Sequence, residues 1–361
     1  MNISRIRKFT AILIVFSIFI SFSPVMASDL ANPVWPKEGH DNQNTGLSQY
    51  HGPQYNSTKW NYTPSDGSNG RITPPVIGPD GTIYISVDFD TPDSTYTKIY
   101  ALNPDGTEKW SYNVSEEGWN SGMGDMSIGP DGTIYAGVLY NHGFFSNQHS
   151  KLYAFNPNKT VKWVFNLTDG NVSNSTFNWL SSPVVGKDGT IYFGSGFKMG
   201  EEGDDADFSN FYALNPDGTV KWNFTLPETD CSLSLPAIGQ DGTIYFTNNY
   251  DSKDGFYSRL YAIKDTASKA EVKWNYTLSQ GEVEHRDSSA PLIGKESTIY
   301  LANTVFNSTK NREYVSLYAF NTKGNLKWNY KINGNKDVWT KSMYSLALGP
   351  DNTIYLNTES E

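Results

Sequence analysis

Apolar residues in this chain come in short alternating bursts separated by turn-forming residues, and the bursts repeat as phrases. Ile77-Gly-Pro-Asp-Gly-Thr-Ile-Tyr84 recurs as Ile128-Gly-Pro-Asp-Gly-Thr-Ile-Tyr135, Val185-Gly-Lys-Asp-Gly-Thr-Ile-Tyr192 and Ile238-Gly-Gln-Asp-Gly-Thr-Ile-Tyr245. Two looser copies are Ile293-Gly-Lys-Glu-Ser-Thr-Ile-Tyr300 and Leu348-Gly-Pro-Asp-Asn-Thr-Ile-Tyr355, and the tyrosines stand 51, 57, 53, 55 and 55 residues apart. A second phrase alternates with the first: Ile99-Tyr-Ala-Leu-Asn-Pro-Asp-Gly106 with Lys109-Trp110, and counterparts ending at Lys162-Trp163, Lys221-Trp222, Lys273-Trp274 and Lys327-Trp328. Lys59-Trp60 stands alone upstream. Fixed-period self-similarity marks a repeat architecture. Pro-Asp-Gly between β-prone flanks predicts a type I turn with Gly in the left-handed position that forms a bulge, so each phrase is a hairpin. Two hairpins per period give four antiparallel strands, A to D, and four strands repeated radially predict an all-β fold, a β-propeller.

Strand order puts the A–B and C–D turns on one rim and the B–C and D–A links on the other. The turns are nearly uniform, whereas the B–C links, residues 87–97, 137–150, 194–210, 248–258 and 303–316, differ in every repeat. Diversified loops on a uniform scaffold are where binding is expected. The chain ends two strands into its sixth period and begins with an unmatched fourth strand around residues 58–63, preceded by a β-like stretch at 47–51. If these segments share one closing blade, the ring has six blades and no open edge. Seven or eight follow if the chain is truncated, because Glu359-Ser-Glu361 comes directly after a strand.

The N-terminus reads as an export signal. Arg5, Arg7 and Lys8 precede a mostly apolar run from Thr10 to Phe22, and Val25-Met26-Ala27 offers a small residue for cleavage. That run is too short for a spanning helix, which needs roughly 20 apolar residues. The expected organisation is a signal peptide at 1–27, an entry segment at 28–46 and a single propeller domain at 47–361. The mature protein is expected to be secreted or held in the cell envelope, without an integral membrane span. Cleavage would remove three positive charges and no negative one, taking the net charge from −10 to −13. So acidic a chain is a poor match for nucleic acid, whose phosphates demand clustered Lys and Arg. Cys231 is the only cysteine, so no intramolecular disulfide forms.

The two phrases resemble the PQQ-like β-propeller repeat proteins. The resemblance implies that Trp60, Trp110, Trp163, Trp222, Trp274 and Trp328 pack against the neighbouring blade near its Ala, as structural blade tryptophans. Trp35-Pro36, Asp41, Thr45-Gly46 and Ser48 are similar to the entry segment before many such propellers. The family's enzymes are quinone-dependent dehydrogenases that use an adjacent cysteine pair, which a single Cys231 does not supply. The chain looks closer to the non-enzymatic branch, which includes the bacterial outer-membrane assembly lipoprotein and holds other proteins. A binding scaffold for a protein or glycan is therefore the leading expectation. A quinone- or metal-dependent oxidoreductase and a structural surface-layer component are the alternatives.

Several candidates remain. Asp204, Asp205 and Asp207, in an acidic B–C link, are the one place where Ca²⁺ is considered, although the spacing is not that of an EF-hand. No other cofactor is expected. Glu284-His285-Arg286-Asp287-Ser288-Ser289 holds hydrolase residue types, but Ser288-Ser289 aligns with Ser181-Ser182, marking the start of strand A. The link rim carries Trp119, Tyr140, Phe144, Phe145, Trp179, Tyr250, Phe256, Tyr257, Tyr314 and Trp339, aromatic rings suited either to a partner or to pinning their own loops. Sequons at Asn61, Asn113, Asn166, Asn223 and Asn275 are expected to carry glycans. Three of them follow a blade tryptophan directly, and strand alternation turns them away from the packed ring.

Overall fold

The computed structural model describes residues 35–48, 54–65, 70–91, 95–117, 120–141, 148–167, 175–199, 208–228, 231–252, 255–278, 288–307, 312–333 and 340–360. Among these residues the fold is all β, a propeller of antiparallel sheets. The first sheet shows the plan. β1 (Gly70–Ile72) and β2 (Val76–Ile77) both pair with β3 (Ile83–Asp90), which pairs with β4 (Thr95–Leu102), which pairs with β5 (Glu108–Asn113). Strand A is therefore two short pieces, because Pro74 and Pro75 supply no N–H to a ladder. At the break, the Thr73 N–H donates to the Ser86 carbonyl and the Thr73 hydroxyl accepts the Ser86 N–H at 3.2 Å. Ser181, Ser234 and Ser289 do the same for Gly194, Thr247 and Ala302. The serine that resembled a nucleophile's neighbour is a backbone splice.

Across each sheet one register recurs. Tyr84 stands opposite Ala101, which stands opposite Trp110, and Tyr135–Ala154–Trp163, Tyr192–Ala213–Trp222, Tyr245–Ala262–Trp274 and Tyr300–Ala319–Trp328 repeat it. The alanine leaves room for the rings on either side to approach, with Tyr84 and Trp110 centroids 5.8 Å apart. Just past it the ladder slips by one residue, between Ala101 and Leu102 and at each equivalent. That slip is the bulge predicted from the turn, with Gly106 at φ 86°. The paired Lys-Trp divides its labour. Lys109 Nζ reaches back to Asp80 and Thr82 of its own A–B turn, 3.0 Å from each, while Trp110 Nε1 donates to the Pro157 carbonyl in the next sheet's C–D turn at 2.9 Å. The apolar core consequently lies in seams between successive sheets, each closed on the outside by an indole.

One expectation changes. The links read as long loops are mostly ladder: strands B and C continue pairing from Val87↔Lys98 out to Asp90↔Thr95, and from Asn248↔Arg259 out to Ser252↔Gly255. Alternation persists past the repeated phrase, in Val87-Asp88-Phe89 facing Tyr96-Thr97-Lys98, so the strands do not stop where the phrase does. Among the described residues the sixth sheet comprises Thr340–Leu348 and Ile354–Ser360, and residues 58–63 form no ladder; residues 49–51 of the stretch expected to join this sheet lie outside them.

Candidate functional site

The entry segment does not merely precede the propeller; it runs across its axis. Trp35 exchanges backbone hydrogen bonds with Ile77 of the first sheet, at 3.1 and 2.8 Å. The Ile128 N–H of the second sheet donates to the Pro36 carbonyl at 2.7 Å, and Asn42 Nδ2 donates to the Val185 carbonyl of the third at 2.7 Å. Ile238, Ile293 and Leu348, from the fourth, fifth and sixth sheets, donate their N–H groups to the carbonyls of Asn42, Gln43 and Thr45 at 2.6, 2.8 and 2.8 Å. All six partners hold the same register position, the last residue of strand A before the A–B turn. Six inner strands therefore converge on one short segment, at the turn-side end of the channel.

The segment is folded for this task. Gly39, His40, Asn44 and Gly46 adopt left-handed backbone, and the Asp41 carboxylate accepts the N–H groups of Gln43 and Thr45 and the Thr45 hydroxyl, curling the chain on itself. Lys37 lies at its centre, 2% exposed, its ammonium donating to the carbonyl of Glu38 at 2.7 Å, to that of Asp41 at 3.4 Å and to the Asn44 side-chain oxygen. Burial pushes the Lys37 pKa down to about 8, against the pull of Asp41 and Glu38. A hydrogen bond to Asp125 of the second sheet, with burial, pushes Glu38 up to about 8, against Lys37. Asp125 also accepts the Ser182 hydroxyl at 3.3 Å, tying the plug to the third sheet.

At the opposite rim, two seams each carry a glutamate, a cation and two tyrosines at equivalent positions. Between the first and second sheets, Glu116 accepts from Lys151 and lies 3.1 Å from His149 Nε2; His149 stacks on Tyr140 with centroids 4.8 Å apart, and Tyr140 bonds Tyr153 and donates to the Val114 carbonyl. Between the third and fourth sheets, Glu228 accepts from Arg259, from Tyr261 at 2.7 and 2.9 Å and from Asn248 at 3.1 Å, and Arg259 donates to Tyr250 at 2.8 Å. Burial raises Glu116 but the Lys151 ammonium outweighs it, so this carboxyl sits below its usual range, while burial lowers His149 despite Glu116. Each glutamate lies six residues after its blade tryptophan, Trp110 or Trp222. That offset was visible in the sequence, but only by aligning positions outside the repeated phrases.

The predicted rim aromatics fall into four groups. Tyr140 and Tyr250 are buried in the seams just described. Tyr257 and Tyr314 are part-exposed; Tyr257 stacks on Tyr250 at 5.5 Å, and the Lys331 ammonium lies 3.4 Å from the Tyr314 ring centroid. Trp179 lies in strand Ser175–Leu180 and Phe256 in Gly255–Asp265. Trp119, Phe144, Phe145 and Trp339 lie outside the described residues, as do Asp204, Asp205, Asp207 and residues 1–27, where a signal peptide is expected. Asn61, Asn113, Asn166, Asn223 and Asn275 are all exposed. The entry segment was expected from its resemblance, but Lys37 and the placement of the segment across six sheets escaped sequence reasoning because it belongs to no repeat.

Residues 98–347 match the family described as outer membrane protein assembly factor BamB. The chain belongs to that family. No curated protein matches it. Among solved structures, a protein from Lactobacillus plantarum is 9% identical with a TM-score of 0.46, the match covering 77% of this chain and 81% of that one. The WD40 domain of SCAP from fission yeast is 9% identical with a TM-score of 0.43, covering 80% and 76%. An ACO/RPE65 chimera is 11% identical with a TM-score of 0.41 over 73% of this chain, which spans 61% of the chimera's length. These distant likenesses extend to the fold alone. This BamB-family propeller thus presents a turn-side end sealed by its own residues and a rim of paired hairpins at the other end.

Proposed function

We propose that this BamB-family propeller is an exported, envelope- or surface-located scaffold that binds a protein partner through its hairpin rim. The observation that carries the reading is the asymmetry of the axis. The turn-side end is occupied by residues 35–46, hydrogen-bonded to six inner strands, so the diversified B–C hairpins at the other end are the surface left for recognition. Among the described residues the B and C strands stay paired well past the repeated phrase, as from Asn248↔Arg259 out to Ser252↔Gly255, and two seams are tied by Glu116–Lys151 and Glu228–Arg259. Part-exposed rings at Tyr257 and Tyr314 are suitable anchors in such a rim.

The outer D strands carry the second half of the proposal. Asn61, Asn113, Asn166, Asn223 and Asn275 bear N-linked glycans along the propeller's flank, away from the rim. Photo-crosslinkers placed at Tyr257 and at Lys109, in the protein exported by its own cells, test the partner reading. The rim position is expected to yield a discrete protein adduct and the turn-side position none. Equal labelling at both, or none at Tyr257, contradicts it. Peptide mass spectrometry of the same material reads glycan occupancy at the five asparagines.

A further inference from the structure

Each of the first five sheets ends in an outer strand: Glu108–Asn113, Val161–Leu167, Val220–Thr225, Ala270–Thr277 and Leu326–Asn333. Among the described residues no further strand pairs with any of them. An edge of this kind presents unpaired N–H and C=O groups to any strand that meets it. Composition favours such a meeting: all five strands lack proline and glycine, and each carries a tryptophan with a second ring two residues on. Val161, Val164, Val220 and Val272 are exposed along them. A lysine precedes every tryptophan, but it turns back to its own A–B turn, as Lys162 does to Asp131 at 3.0 Å and Lys273 to Thr243 at 2.8 Å.

The positions one and three residues after the tryptophan are those that alternation turns outward. Asn113 and Asn166 hold the second of them in the first and second sheets, and Asn223 and Asn275 hold the first in the third and fourth. Each of the four is exposed and has Ser or Thr two residues on. Asn61 repeats the arrangement after Trp60. The fifth sheet breaks the series, because Asn329-Tyr330-Lys331 is no sequon, and there alone the outward pair includes a cation, the exposed Lys331. Every outer strand thus carries a glycan acceptor or a charge on this face, and none carries both.

We propose that the N-linked glycans of the outer strands are edge guards, which stop the propeller's flank from pairing strand to strand with the flank of a second copy of the protein. The inference rests on the glycan reading above and gives those glycans a task. The partner held off is a second copy because nearly the same edge recurs around each molecule, so that any two molecules can meet like to like. Pairing needs the strands to approach to about 4.8 Å, and an oligosaccharide rooted on the strand itself occupies that approach. Lysine on an edge strand serves the same end by burying poorly, which is the part of Lys331 in the fifth sheet. The guarded surface is the flank and is independent of the hairpin rim.

The test compares the full chain exported by its own cells with two variants, one with Asn113, Asn166, Asn223 and Asn275 all changed to Gln, the other with all four changed to Asp. Peptide mass spectrometry reads occupancy, and light scattering reads particle mass. The native protein is expected to be occupied and monomeric. The Gln variant is expected to at least double its particle mass at the same concentration, with new amide protection along Val161–Leu167 and Val220–Thr225. The Asp variant, equally bare of sugar but charged at each edge, is expected to stay monomeric. Occupied asparagines with a folded, monomeric Gln variant overturn the guard and leave the glycan reading standing, whereas bare asparagines in the native protein overturn both. Association of the Asp variant as strong as that of the Gln variant also overturns the guard. If the Gln variant fails to accumulate, Asn223→Gln alone bares one edge and is expected to give dimers and nothing larger; a monomer there contradicts the proposal.

Discussion

Trp222 and Trp328 stand in the same repeated phrase, after the same lysine and opposite the same alanine, but only one is part of a closed seam. Trp222 is 5% exposed, bonds the Asp265 carboxylate at 3.0 Å and lies within the core formed by the third and fourth sheets. Trp328 keeps its alanine and its tyrosine but, among the described residues, no hairpin covers it. A repeat phrase, then, specifies only half of each joint. It places a ring on the outer strand, and the next sheet's turn decides whether the ring contributes to stability.

The comparison can be broken first by deletion of the two rings. Trp222→Ala should destabilise by about 3–5 kcal/mol, the usual range for a buried indole, and Trp328→Ala by less than about 1 kcal/mol, as for exposed positions. Chemical denaturation reads both, and similar losses would refute the contrast. Lys37→Ala comes next. Removing a buried ammonium strands the Asn44 oxygen and two carbonyls, and about 2–3 kcal/mol is expected for hydrogen bonds made by a charged group.

A glycine pair separates backbone strain from ring contact. Gly218 and Gly242 both hold left-handed φ, 85° and 77°, but a Cβ at Gly218 would fall 2.6 Å from Trp163, whereas one at Gly242 meets nothing within 4 Å. Gly242→Ala should cost only the left-handed penalty of about 1–2 kcal/mol. Gly218→Ala should cost measurably more and expose Trp163 to quenchers. If the two cost the same, the indole does not rest on the turn.

The smallest effect is a pH dependence centred on the plug. Glu38 binds its proton up to about pH 8 in the folded chain, so its contribution is present at acid pH and lost as pH rises from the ordinary carboxylate range toward 8. Lys37 has its pKa lowered to about 8, so its contribution is present above the ordinary lysine range and lost as pH falls toward 8. Thermal stability is therefore expected to dip near pH 8, and Glu38→Gln should remove the acid-side limb of the dip alone.

Much of the scaffold was legible because turn chemistry is local. Pro-Asp-Gly states its own geometry, and the left-handed glycines and the bulge beside Ala101 follow directly. Asn158-Lys159 keeps the same turn without glycine, Lys159 taking φ 79° while the Asn158 side chain accepts the Thr160 N–H. The hairpin lengths were misjudged because alternation beyond the phrase carries no turn residue to mark its end. The Glu116 and Glu228 networks were hidden because the pattern alternates between sheets, with Lys151 in one and Arg259 in the other. The entry segment was recognised, but its role as a plug was invisible for a deeper reason. Its partners are backbone groups of six sheets far apart in sequence, and backbone partners leave no mark on residue identity.

That convergence supports everything said about which end of the propeller is open. Amide hydrogen exchange at Ile128, Ile238, Ile293 and Leu348, whose N–H groups donate to the plug, tests it directly. In the intact protein these four amides should exchange slowly, and in a chain lacking residues 35–46 all four should accelerate together while the neighbouring Gly129, Gly239, Gly294 and Gly349 amides, bonded within their own turns, stay protected. Unchanged exchange at the four, with the deletion folded, would mean that no such segment joins the six sheets.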